Sequence, residues 1–117
     1  MQTNSIETHH STTLQYVHWF RHSAPYINAH RNKTFVIMFD GEAVQHDNFQ
    51  HIIHDIALLH SLGIRLILVH GARPQINHNL KQSQLQTPFH QHRRVTTRES
   101  LSCVMNAVGS IRLQIEA

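Results

Sequence analysis

With 117 residues, 40% apolar and only 15% charged, the chain is too apolar to be disordered. It suffices for one small domain that buries roughly two-thirds of its unfolded surface. The formal charge of +3 comes from scattered basic residues with one adjacent pair, Arg93-Arg94, so the clustered basic face of a nucleic-acid binder is absent. A single cysteine, Cys103, excludes an internal disulfide and fits a reducing, cytoplasmic location. No apolar run reaches membrane-spanning length, and no basic stretch followed by an apolar run marks a secretory leader. Thirteen histidines are the compositional oddity, spread along the whole chain rather than gathered at one place. Their full protonation would raise the charge steeply, with an effect on solubility expected below about pH 6.5.

Residues 1–13 are polar without periodicity, and a flexible tail is expected. Residues 14–33 read as a kinked helix. Leu14, Val17 and Phe20 step by three while Tyr16 and Trp19 widen the apolar face, so this helix needs cover on more than one side. Ser23-Ala24-Pro25 reads as a break and restart, with Ser23 as cap and Pro25 in the new first turn.

Phe35 to Arg73 organises the remainder. Thr34 to Phe39 is an apolar run without alternation, as in a strand buried on both faces. Asp40-Gly41 ends it. Asp47 is placed to cap the next helix and Gln50 to reach back to the cap, and Phe49, Ile52, Ile53, Ile56 and Leu59 recur at helical spacing. Gly63 stops that helix, Ile64 to Val69 is a second buried strand, and His70 to Pro74 is a second turn. This βαβ pattern predicts parallel strands and a right-handed crossover. Both glycine turns then lie at the carboxyl ends of neighbouring strands, where open α/β sheets bind ligands.

Pro74 opens a helix through about Lys81, with Ile76 and Leu80 four apart, and Ser83 to Pro88 is a loop. Phe89 to Val95 suits a short hairpin or an extended edge. Thr96 and Glu99 have capping-box spacing before a stripe of Leu101, Val104, Met105, Val108, Ile111 and Ile115. No terminator follows before Ala117, and two parallel strands flanked by helices make a poor closed domain. The chain therefore reads as the opening part of something larger.

His51, His54 and Asp55 share a helix face at spacings that permit metal binding, but no third strong ligand is fixed nearby. A solvated face is expected, and no metal site. His60, near the apolar stripe, is expected to be packed and hydrogen-bonded. Cys103, with no basic neighbour in sequence, is expected to be an inert thiol.

Trp19 to Arg31, Phe35-Val36-Ile37-Met38, Gly41-Glu42-Ala43, His54 to Arg65, Val69 to Ile76 and Arg94-Val95-Thr96 together resemble bacterial N-acetylglutamate synthases. The resemblance runs from about Tyr16 to the C-terminus. It implies an incomplete amino acid kinase-like (carbamate kinase-like) α/β fold over residues 34–117, the first half of that domain. The acetyltransferase domain that follows it in the family is not expected within these residues. By this resemblance the whole enzyme makes N-acetylglutamate from glutamate and the cosubstrate acetyl-CoA, the first step of arginine biosynthesis. Arginine is its effector, and its N-terminal helix helps assemble a homo-oligomer. This portion then holds no catalytic residue and no cofactor, and is expected to be inactive alone.

The ligand-facing positions that the resemblance marks are Gly41, Glu42, His70, Gly71, Ala72, Arg73 and Arg94. Related kinases place a lysine in the first strand and consecutive glycines in both turns to cradle ATP phosphates. Here Met38, Asp40 and Ala72-Arg73 stand at those places, Asn77 replaces an acidic residue, and the Ser83 to His92 loop lacks a glycine. If the first turn needs positive φ, Asp40 would be strained there. Arg94 matches the arginine that grips amino-acid carboxylates in the kinases, and reads equally as a surface arginine beside a helix start. Two alternatives remain: an acetylglutamate kinase, and a non-catalytic arginine-sensing or interaction module.

Overall fold

The structure, a computed structural model, describes the backbone of residues 4–117 and the side chains from residue 10 onward. In chain order come α1 (Asn4–His30), β1 (Thr34–Phe39), α2 (Gly41–Gln45), α3 (Phe49–Ser61), β2 (Arg65–His70), α4 (Arg73–Gln82), β3 (Phe89–His90), β4 (Arg93–Arg94) and α5 (Leu101–Glu116).

β1 and β2 pair in parallel from Thr34 opposite Arg65 to Phe39 opposite His70, as the βαβ pattern requires. The connecting helix α3 ends as predicted at Gly63. Gly63 takes φ +91, its N–H donates to His60 O, and Ile64 N–H donates to Leu59 O. That is a Schellman closure, with buried Ile64 beside half-buried Leu59. A Cβ at Gly63 would also stand 2.9 Å from Arg31 Cγ.

The strands depart from expectation in burial. Phe35, Ile37, Phe39, Leu66, Leu68 and His70 are half-buried on one face, while Val36, Met38, Ile67 and Val69 are exposed on the other. Only one face of the sheet is covered, because α3 and α5 both contribute to a core on the same side. That core gathers Val44 of α2, Phe49 of α3, Ala72 before α4 and Ile111 of α5, with Phe39, Ile53, Ile76 and Ile115 packed against it.

The expected caps also differ. Neither Asp47 nor Gln50 caps α3. Its cap is Asn48, whose side chain makes no capping bond, because α2, an element the sequence did not announce, ends at Gln45 and leaves a tight reversal. In that reversal His46 Nδ1 accepts from Asn48 N–H at 3.2 Å. Thr96 is not the cap of α5 either. Val95 N–H still donates to Pro88 O at 2.8 Å, which keeps the chain extended past the hairpin. Thr97 Oγ1 instead accepts from Ser100 N–H, and Ser100 is the cap. On α5 the buried positions are Cys103, Ala107 and Ile111, whereas Leu101, Met105 and Val108, expected inward, are exposed. Small residues at 103 and 107 let α5 lie close on α4, where Asn79 Nδ2 donates to Cys103 O. The apolar surface of α5 is wider than α4 can cover.

α1 corrects two expectations. It is helical from Asn4, within the tail expected over residues 1–13, of which Met1 to Thr3 lie outside the described residues. The helix also continues through Pro25, and Ser23 Oγ donates to Trp19 O at 2.9 Å instead of capping a new helix. α1 projects from the body. The radius of gyration is 21.7 Å, against about 13–14 Å for a compact chain of this length.

Candidate functional site

The two glycine turns pack directly on each other at the carboxyl ends of β1 and β2. Gly71 N–H donates to Phe39 O at 2.9 Å. A Cβ on Gly71 would stand 3.2 Å from Gly41 N and 3.4 Å from Asp40 Cα. A Cβ on Gly41 would meet Gln75 Oε1 at 2.5 Å, Pro74 Cδ at 2.8 Å and Ala72 Cα at 3.2 Å. Gln75 Nε2 donates to Gly41 O at 2.7 Å, while its buried Oε1 has no partner. The space beside Gly41 is thus filled by the first turn of α4.

Asp40 is not strained. Its φ of −82° and ψ of 172° are ordinary extended backbone, and its carboxylate accepts from Ala43 N–H at 2.9 Å as the cap of α2. Worth about 1 kcal/mol in helix stability, this bond also turns a negative charge onto amides that would otherwise be free to meet an anion. Glu42 is exposed in the same short helix. His70 is half-buried, stacked on the Phe39 ring at 6.5 Å, with Nδ1 3.2 Å from Gly71 O. Ala72 is buried at the cap position of α4, and Arg73, the first residue of α4, is exposed.

Arg94 lies elsewhere. Its guanidinium donates to Thr87 Oγ1 and to Asn77 Oδ1, and its Cζ sits 4.9 Å over the Phe89 ring. It lines an open pocket of 530 Å³ with Asn77, Lys81, Leu85 and Thr87 among others. Its link to the turns is α4 itself, since Asn77 is one helical turn beyond Arg73. Of the marked residues the structure therefore gathers Gly41, His70, Gly71 and Ala72, leaves Glu42 and Arg73 at the rim, and holds Arg94 apart. Sequence reasoning missed Lys81 and Thr87. Lys81 could have been found from its spacing of four from Asn77 on α4.

Met38 is 79% exposed on the uncovered sheet face, the side opposite the core. His51, His54 and Asp55 are exposed, as expected of a solvated helix face. Among the described residues no group of three or more His, Cys, Asp or Glu is placed to hold a metal ion. His60 is exposed, with Nδ1 3.3 Å from Ile64 O. Cys103 is buried, its Sγ 3.5 Å from Ser83 Oγ. No helix among the described residues is long and apolar enough to cross a membrane.

Residues 33–116 match the model of the amino acid kinase family. The chain is 58% identical over 102 residues to an amino-acid acetyltransferase of Azotobacter vinelandii, an alignment covering 87% of this chain and 24% of that protein. An amino-acid acetyltransferase of Pseudomonas aeruginosa is 56% identical over 102 residues, again 87% of this chain and 24% of that one. Among solved structures, N-acetylglutamate synthase from Neisseria gonorrhoeae complexed with coenzyme A and N-acetyl-glutamate superposes with a TM-score of 0.73 at 33% identity. The complex of that enzyme with coenzyme A and L-arginine gives 0.71 at the same identity. Each match covers 86% of this chain and 24% of the other. The chain thus spans 24% of the length of these relatives.

Proposed function

The chain belongs to the amino acid kinase family, and from that premise we propose that it is part of the amino acid kinase-like domain of an N-acetylglutamate synthase. The whole enzyme would transfer the acetyl group of acetyl-CoA to the amine of glutamate. The observation that carries this reading is the 58% identity to an amino-acid acetyltransferase, sustained over 87% of the chain. This portion of the enzyme has a regulatory and assembly role rather than a catalytic one. L-Arginine is its effector, and the solved relative complexed with coenzyme A and L-arginine supports that assignment. Exposed Trp19, Phe20 and Tyr26 on α1 supply the apolar surface for homo-oligomerisation. Residues 14–33 then act as the assembly helix and 34–117 as the domain proper. The enzyme works in the cytoplasm, where acetyl-CoA and glutamate are at hand and a free Cys103 stays reduced. The packed turn residues Gly41, His70, Gly71 and Ala72, with Glu42 and Arg73 at their rim, form one ligand-facing edge, and Arg94 serves the pocket beside α4.

Kinase chemistry is not favoured. Phosphoryl transfer needs fixed positive charge and open backbone amides around the phosphates. Here the first-turn amide of Ala43 is taken by the Asp40 carboxylate, and Met38 brings no charge. The test is a chimaera in which this chain replaces the matching segment of the Azotobacter vinelandii enzyme. Glutamate-dependent release of coenzyme A that remains sensitive to L-arginine is the expected result, with background turnover for the chain alone. A folded chimaera that makes N-acetylglutamate but ignores arginine would remove the regulatory role. A folded chimaera without turnover would remove the parent assignment.

A further inference from the structure

His18 and His22 stand four residues apart on α1, and their rings meet edge to face with centroids 5.3 Å apart. Both are exposed. Neither ring nitrogen is committed to a hydrogen bond among the described residues. Imidazole is the side chain that borderline transition metals take most readily. Side chains four apart on a helix project from one face, so the helix has already met the entropic cost of bringing the two rings together. Among the described residues of α1 the charged neighbour of this pair is Arg21, next to His22 in sequence.

We propose that His18 and His22 form a two-imidazole chelate for a divalent transition metal of the Cu²⁺, Ni²⁺ or Zn²⁺ class. Water completes the coordination shell. The site is independent of the ligand-facing turns. It is also distinct from His51, His54 and Asp55 on α3, which form no three-ligand group among the described residues. A chelate across one helical turn exists only while the residues are helical, so occupancy favours the helical state by mass action. α1 has unusual need of such a clamp. Of its side chains from residue 10 onward, only Ala24 and Ile27 are even half-buried, and a helix without tertiary packing is marginal in water. The pair also lies within the stretch that carries exposed Leu14, Trp19, Phe20 and Tyr26. Metal binding would stiffen that apolar surface.

The test uses the whole chain and metal chloride alone at neutral pH, with calorimetry for binding and far-ultraviolet circular dichroism for helix content. One equivalent of Zn²⁺ or Cu²⁺ should bind more tightly than the diffuse background of the other histidines, with Cu²⁺ ahead of Zn²⁺, and helix content should rise with it. The decisive variant combines His22→Gln with Phe20→His. It keeps thirteen histidines but spaces the pair two apart, on different sides of the helix. It should bind that equivalent at least about tenfold more weakly and lose the helical gain. The double variant His51→Gln and His54→Gln should retain both. Equal binding by the respaced variant, or an equal loss in the α3 variant, would overturn the proposal.

Discussion

Around the two turns, Val44, Phe49, Ala72 and Ile111 are each less than a tenth exposed, whereas along α1 Trp19, Phe20 and Tyr26 are each more than half exposed. Both regions are rich in large apolar side chains, so composition does not separate them. What separates them is a second surface within the chain. At the turns, α2, α3, α4 and α5 converge because Gly41 and Gly71 let backbone meet backbone. α1, among the described residues, is exposed along most of its length and meets the body near its end, where the His30 and Phe35 rings stand 5.4 Å apart. Apolar residues there contribute little to the stability of this chain, and on the proposed reading they serve association instead.

The sharpest way to break this contrast is Phe49→Ala. It removes a side chain that is 2% exposed and in edge contact with Phe39 at 5.6 Å. The expected cost is about 3–5 kcal/mol. Denaturant unfolding followed by circular dichroism should lose its cooperative transition, and a cost below about 1 kcal/mol would show that the turns are not the folding centre. Next comes Gly41→Ala, whose new methyl would meet Gln75 Oε1 at 2.5 Å and the Ala72 backbone at 3.2 Å. A cost of about 1–3 kcal/mol is expected from overpacking, read as a lowered thermal midpoint.

Gly109→Ala is the counterpart with the opposite sign. It lies within α5, and an added Cβ meets nothing within 4 Å. A gain of about 0.5–1 kcal/mol is expected from helix propensity alone. A matching loss at both glycines would mean that close approach is not what distinguishes Gly41. The smallest stability effect is expected for Trp19→Gln, within about 0.5 kcal/mol, because the side chain is already in water. Sedimentation should nonetheless show weaker self-association, and an unchanged sedimentation profile would move the assembly surface off α1.

How much of this could be read from residues follows the range of the interactions. The βαβ core was legible because strand length, helical spacing and Gly63 are all local signals. The hairpin was half legible. Gln91 and His92 both take positive φ, the backbone of a two-residue turn that asparagine and glycine announce and these residues do not. Gln84, at φ 54°, closes α4 in the same way without the glycine that would have marked it. The capping boxes misled because their spacing is necessary but not sufficient. Asp47 and Thr96 have the right residues three positions on, while contacts from His46 and Pro88 hold the backbone elsewhere. The strands looked buried on both faces because their composition suits a complete sheet, and nothing among the described residues covers Val36, Met38, Ile67 and Val69. Of the candidate site positions, those at the strand ends could be placed from topology. The engagement of Arg94 could not, because Asn77 is 17 residues away in sequence.

The junction between α1 and β1 has leverage. Asn32 takes φ 66° there. Its N–H donates to Gly63 O at 2.8 Å, and its carbonyl accepts from Arg65 Nη2 at 2.8 Å. The 27 residues of α1 form an arm about 40 Å long. A rotation of about 10° at this fulcrum would swing the far tip by about 7 Å. The aim of the arm, and with it the angle at which any neighbouring copy would be met, rests largely on one left-handed asparagine and its hydrogen bonds to Gly63 and to Arg65 at the start of β2.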